Sequence, residues 1–320
     1  MFLCKFEKGQ GLGNQLWNYA SIKSIANKMN VDFGILNYEN FKGKEFLILD
    51  GIKNPDIIQT PSYSEEMYFD KKNNFISSCF DENVFNLQGD WILEGLFQSE
   101  KYLCNEKSFL NQAIKIKNPR HKNINSHECI LNIRGGEYKK HKDFILPRSY
   151  WVNAMQYMEK KYTIKNFIAV TDDYDYCKYM FPDMEIIHGS VEKCYQKIYF
   201  CKNIVVSNST FSYFPIKTST LEKNVLAPYN WARFNSSSNF WCSPCNCYSD
   251  WSYLDKNGNI FDFEKASLNA EMTTKKYKKS FPIYDESKHK LSKSFISRII
   301  PKSIKEKLLI ILSKLFPSKF

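Results

Sequence analysis

No run of apolar residues in this 320-residue chain approaches the roughly 20 needed to span a bilayer; the longest runs, such as residues 308–312, fall far short. There is also no long Gly, Ser or Pro tract, which excludes a large disordered linker. A charged leader with an apolar core and a small-residue cleavage site is missing, because Met1 leads straight into a strand-like FLCKF. The sequence therefore predicts a cytoplasmic protein. In such a compartment the ten cysteines read as reduced structural thiols. Cys242 and Cys245 form a CxxC, but no second CxxC or spaced histidine pair stands ready to close a tetrahedral site, so no metal is expected.

What is present is a folded chain long enough for two domains, with 43% hydrophobic residues. Its net charge of +11 resembles a nucleic-acid footprint until its distribution is traced. Residues 275–320 hold 13 Lys and Arg against 3 acids, a net of +10, which leaves +1 for residues 1–274. A nearly neutral body excludes nucleic acid as the partner. In the tail, Ile304, Leu308, Ile311, Leu312 and Leu315 recur at helical spacing among Lys302, Lys305, Lys307 and Lys314. That pattern predicts a basic amphipathic helix suited to an anionic membrane surface, or else to packing on the protein itself.

The body alternates strand and helix. A strand over residues 2–6 meets a glycine-rich turn, GQGLGNQ, and a helix over 16–29; such a turn suits an anionic or hydroxylated ligand, or is simply tight. Asn14 stands where a dinucleotide fingerprint needs its third glycine, which disfavours a dehydrogenase. Further on, strands are expected at 128–134, 166–170 and 203–206, and helices at 148–161 and 190–201, with a domain break near residues 118–126. Polar residues gather at the strand ends: Arg134 with two glycines, then Thr171-Asp172-Asp173, then residues 207–212. Open parallel sheets bind ligands at that edge. Arginine there is a permanent, bidentate phosphate donor. Asp173 and Asp175 form a DxD that would hold a divalent metal in a different kind of transferase.

Four blocks then resemble, in order, the alpha-1,2-fucosyltransferases of glycosyltransferase family eleven: GLGNQLWNYA from Gly11, GLFQSEKYL from Gly95, LNIRGGEY from Leu131 and SNSTFSYF from Ser207. Ala227-Pro228 with Trp231 resembles a fifth. The resemblance covers roughly residues 3–234. It implies a GT-B α/β architecture of two Rossmann-like domains with parallel sheets. The acceptor-side domain would span residues 1–125 and the GDP-sugar domain 126–274, followed by the basic tail at 275–320. It further implies GDP-fucose as donor, inversion without a metal or other cofactor, and a glycan acceptor, with galactose of a cell-surface glycan as the expected target. Carried over by position, Arg134 anchors the diphosphate. Asn132, Gly136, Asp172, Asn208, Ser209, Thr210, Phe211 and Ser212 line the donor site, and Asp172 faces the nucleoside. Gly11, Gly13, Asn14, Gln15, Gln98 and Ser99 belong to the acceptor side. Glu137 is either a general base or a partner of backbone N–H groups. The chain departs from the family at Asn132 in place of His, Gly135 in place of a second Arg, Glu137 in place of Asp, and Tyr213-Phe214-Pro215 in place of Trp-Trp-Gly. These departures leave the donor sugar open, and a non-catalytic glycan-binding homologue stays as the alternative.

Overall fold

The fold is known from a computed structural model that describes residues 1–56, 59–70, 75–103, 106–119, 124–140, 144–231, 243–278 and 283–284. The amphipathic tail segment and Cys242 lie outside the described residues. Two compact units emerge, Met1–Pro282 and Ile283–Phe320, of which the second is described only as a short strand, Ile283–Tyr284.

The first half of the larger unit runs β1 (Phe2–Lys5), α1 (Leu12–Met29), β2 (Phe33–Leu36), β3 (Leu47–Leu49), β4 (Ile52–Lys53), β5 (Ser62–Ser64), β6 (Met67–Asp70), β7 (Phe75–Ser78), β8 (Trp91–Glu94), α2 (Glu106–Ala113) and β9 (Ile114–Ile116). Its main sheet has the order β4-β2-β1-β8-β5, every pair parallel. Parallel strands need crossovers, and α1 supplies the first. The helix starts at Leu12, with Gly11 as its N-cap, so Gly13, Asn14 and Gln15 belong to its first turn and not to a turn preceding it. Periodicity missed this start because Gly13, Asn14 and Gln15 carry no apolar side chains to mark a helix face.

The second half runs β10 (Glu128–Ile133), α3 (Arg148–Tyr162), β11 (Asn166–Thr171), α4 (Tyr174–Met180), β12 (Glu185–Ile187), α5 (Val191–Phe200), β13 (Asn203–Val206), α6 (Tyr213–Lys217), β14 (Asn224–Pro228), β15 (Ser252–Leu254), β16 (Ile260–Phe261) and α7 (Phe263–Lys278). β10, α3, β11, α5 and β13 match the expected strands and helices within a residue or two; the other elements of this half were not anticipated. The helix expected at 190–201 has Ser190 as its N-cap, with its Oγ accepting from Lys193 N at 3.2 Å, and Cys201 as its C-cap. The sheet order is β12-β11-β10-β13-β14-β15-β16, parallel up to β15, with β16 antiparallel at the edge. In chain order the six parallel strands run 3-2-1-4-5-6, the doubly wound arrangement, with the switch point between β10 and β13 and β16 added as a seventh strand. β10 and β13 are nearly continuous apolar runs, as strands covered on both faces must be.

One hydrophobic cluster contains side chains from both sheets. At its centre Trp17 of α1 packs on Tyr213 with ring centroids 4.3 Å apart, on Phe214 at 5.3 Å and on Tyr248 at 5.7 Å. Tyr213-Phe214, which replace the family's tryptophan pair, thus fill the core under α1; both are fully buried. The eight described cysteines are buried. Burial pushes the Cys245 thiol up, as befits a structural thiol.

Candidate active site

Register brings the carboxyl ends of three strands level: Asn132 pairs with Val170 on one side and Val206 on the other, and Ile133 with Thr171. The residues that follow therefore converge on one edge. Arg134 Nη1 meets Asp172 Oδ2 at 3.0 Å, and the guanidinium lies 5.6 Å from the centre of the Tyr138 ring. Asp172 Oδ1 accepts from Gly135 N at 3.0 Å. Asp172 is thus the partner that orients Arg134, a contact its position in the sequence did not reveal.

Asp173 does a different job. Its carboxylate accepts from Tyr176 N at 3.1 Å, capping α4, and from Gly136 N at 3.0 Å, and it pairs with Lys139. Although burial pushes its pKa up, the Lys139 ammonium and these donors hold its carboxyl below the usual carboxylate range. An acid so engaged is a poor metal ligand, and this weakens the reading of Asp173 and Asp175 as a cation clamp. The same packing explains the missing second arginine. A Cβ on Gly135 would lie 2.7 Å from Asp173 Cβ and 2.8 Å from a ring carbon of Tyr176, so any side chain there would displace the start of α4. Gly136, at φ +35, has Asp172 where its own side chain would be. Lys139 was not singled out by sequence, though its place in the GGEYKK segment could have marked it as the second cation of this edge.

The hydroxyl-rich turn after β13 is mostly turned inward. Ser209 Oγ accepts from Phe211 N at 3.3 Å, Ser212 Oγ donates to Ser209 O at 3.3 Å, and Phe211 packs edge-on against Tyr195. Asn208 donates to the carbonyls of Phe144 at 2.9 Å and Trp231 at 2.6 Å, tying neighbouring loops to the strand end. Tyr138 OH donates to Asn208 O at 3.3 Å, and burial raises its pKa. Thr210 reaches the other half of the unit, donating to Asn14 Oδ1 at 2.8 Å; Gln98 Nε2 donates to the same oxygen at 3.1 Å. The structure thus joins Asn14, Gln98 and Thr210. It keeps Gln15 apart, because its buried amide donates to Asn40 O and accepts from Lys42 N. Ser99 caps a short turn through Lys101 N, Gly11 is exposed, and Glu137 is exposed without a hydrogen bond among the described residues.

Among the described residues, four buried polar atoms at this edge have no partner: Asn132 Oδ1, Arg134 Nε, Ser207 Oγ and Asn208 Oδ1. Buried polar atoms are nearly always satisfied, so a polar ligand at the switch point would complete the bonding of these four. Ser207 belongs to the polar cluster expected at this strand end but not to the residues expected to line the donor site. Ser209 and Ser212 are buried too, but their hydroxyls are bonded, whereas Ser207 Oγ has no partner among the described residues.

The model of glycosyl transferase family 11 matches residues 11–255. The chain belongs to glycosyl transferase family 11. No curated protein matches it. Among solved structures, NodZ alpha-1,6-fucosyltransferase soaked with GDP-fucose, a Bradyrhizobium protein, is 12% identical over 82% of this chain and 98% of that one, with a TM-score of 0.44. An Arabidopsis thaliana FUT1 variant in complex with GDP is 9% identical over 72% and 71%, with a TM-score of 0.45. E. coli heptosyltransferase WaaC with ADP is 8% identical over 85% and 100%, with a TM-score of 0.41. These likenesses are too distant to carry residue roles into this glycosyltransferase.

Proposed function

We propose that the chain transfers fucose, or a related deoxysugar, from a GDP-sugar to a hydroxyl of a glycan, with inversion at the anomeric carbon. The observation that carries this reading is the set of unpartnered polar atoms around Arg134 at the switch point. Cleaving the bond to GDP builds negative charge on the β-phosphate, and fixed donors aimed at that charge lower the barrier. Arg134 Nε, without a partner among the described residues, would donate to that oxygen while Asp172 holds Nη1. Ser207 and Asn208 would serve the diphosphate or sugar hydroxyls. In the same reading residues 126–274 carry the donor and residues 1–125 face the acceptor. That acceptor is galactose of a surface glycan, fucosylated at O2, and the enzyme works on the cytoplasmic face of the membrane.

The full chain is expected to bind GDP more tightly than UDP and to turn over GDP-fucose at an unchanged rate in EDTA. Calorimetry and a coupled GDP-release assay test both; equal affinity for UDP, or loss of turnover on chelation, overturns the reading.

Residues 288–320 hold nine Lys and Arg against one acid. No helix among the described residues is long and apolar enough to cross a membrane. We expect the full chain to sediment with vesicles containing anionic lipid at low salt, and a chain ending at residue 287 to stay in solution. Attraction to the surface weakens as the screening length falls to about 8 Å near physiological salt. Equal partitioning of the two chains would place the tail on the protein instead.

A further inference from the structure

A fully enclosed carboxylate lies outside the donor edge. Glu65, between β5 and β6, is 2% exposed. Its Oε1 accepts from Ser78 Oγ at 2.6 Å and from Tyr102 OH at 3.0 Å. Its Oε2 accepts from the backbone N–H of Leu96 at 2.8 Å and of Phe97 at 2.7 Å. Four neutral donors therefore converge on one acid. They shape the loop after β8: Phe97 is held at φ +48, a conformation side chains other than glycine avoid. A Cβ on Gly95 would lie 2.5 Å from Glu65 Cβ, so only glycine lets the loop press onto the acid.

The bonding continues outward. Ser78 Oγ accepts from Gln98 N at 3.1 Å, Gln98 Nε2 donates to Asn14 Oδ1, and Thr210 Oγ1 donates to that same oxygen. We propose that Glu65 is a positioning residue for sugar transfer: as a carboxylate it locks residues 95–98 in the shape that holds Gln98 on Asn14, and through Asn14 fixes Thr210 at the rim of the donor site. This rests on the proposed function. A neutral acid has to turn one oxygen into a donor, so one of the four incoming donors loses its acceptor and the loop loosens. Burial pushes the Glu65 carboxyl up to about 7, against the pull of its hydrogen bonds. The groups facing it are also acidic or neutral: Tyr102, Tyr63 with its partner Asp81, Glu66 and Cys245.

The test compares the full wild-type chain with Glu65→Gln and Tyr102→Phe from about pH 5.5 to about pH 8.5. Wild-type turnover of GDP-fucose is expected to rise through about pH 7. Glu65→Gln should be about tenfold slower above that pH and lack the rise, with GDP binding unchanged. Tyr102→Phe removes one donor to the carboxylate, so its rise should move to higher pH. A folded-state carboxyl raised above its unfolded value favours the fold at low pH and loses that contribution as pH climbs toward 7. The melting temperature of wild type relative to Glu65→Gln should therefore fall over the same interval. A Glu65→Gln enzyme with wild-type rate, or one that keeps the rise, overturns the proposal. So does a Tyr102→Phe rise that stays put or moves down, and this variant decides if Glu65→Gln fails to fold. A wild-type chain that neither binds GDP nor releases it from GDP-fucose overturns the functional reading itself, and the relative melting temperatures then report the ionisation of Glu65 separately.

Discussion

Replacing Arg134 by alanine is expected to lower GDP-sugar turnover by about a hundred- to a thousandfold, as when one preorganised donor is removed from a developing oxyanion. The loss should fall on kcat as well as on kcat/KM, because the charge this group meets exists fully only in the transition state. The variant should still fold. Arg134 is about one-third exposed at its side chain, and Asp172 keeps the Gly135 N–H as a partner and gains access to water. Arg134→Lys should recover little, since an ammonium cannot hold Asp172 with one nitrogen and present another to phosphate. Single-turnover measurements on both variants, with the melting curve as a control for folding, check this. Wild-type turnover in Arg134→Ala would remove the guanidinium from the chemistry altogether.

The second large effect concerns the close approach of Gly13 to Thr210. A methyl group on Gly13 would lie 2.5 Å from the carbonyl carbon of Thr210, 2.6 Å from its carbonyl oxygen and 2.6 Å from its Oγ1. Backbone atoms cannot swing away as a side-chain tip does. Gly13→Ala must therefore part the start of α1 from the turn after β13, at a cost of about 1–3 kcal/mol for overpacking. The bond from Thr210 to Asn14 lies in the same contact and would lengthen with it. The expected result is a clear drop in melting temperature together with a fall in turnover. Gly11→Ala is the matched control: nothing lies within 4 Å of its added methyl and its φ is −68, so it should be close to neutral. Equal stability of the two variants would mean that the two halves do not meet as closely as described.

Much of the second half of the molecule is legible in the order of its residues. Strands such as β10 and β13 are buried on both faces, so they appear as short, nearly continuous apolar runs, and the polar residues crowding their ends stand out by contrast. Ser190 announces the start of α5 through ordinary capping chemistry. Arg134 is readable from its place at a strand end beside glycines. Its partner is not: both Asp172 and Asp173 stand in the sequence, and only the packing of Gly135 against Asp173 assigns one acid to the arginine and the other to the cap of α4. Glu65 gives no signal at all. One glutamate among loop residues resembles any solvated acid until the surrounding donors are in place.

The sequence alone determined what depends on neighbours along the chain: the alternation of strands and helices, the chemistry gathered at strand ends, the concentration of charge in the last 46 residues, and four blocks that carry the family. Local periodicity and turn chemistry are written in contiguous residues, and they survive without knowledge of the rest. Tertiary structure decided which polar groups are buried, which acid faces which cation, and how Gly13 and Thr210, 197 residues apart, come into contact. Those outcomes depend on the close approach of surfaces distant in sequence, where a few tenths of an ångström and the loss of water set the energy, and no run of residues encodes them.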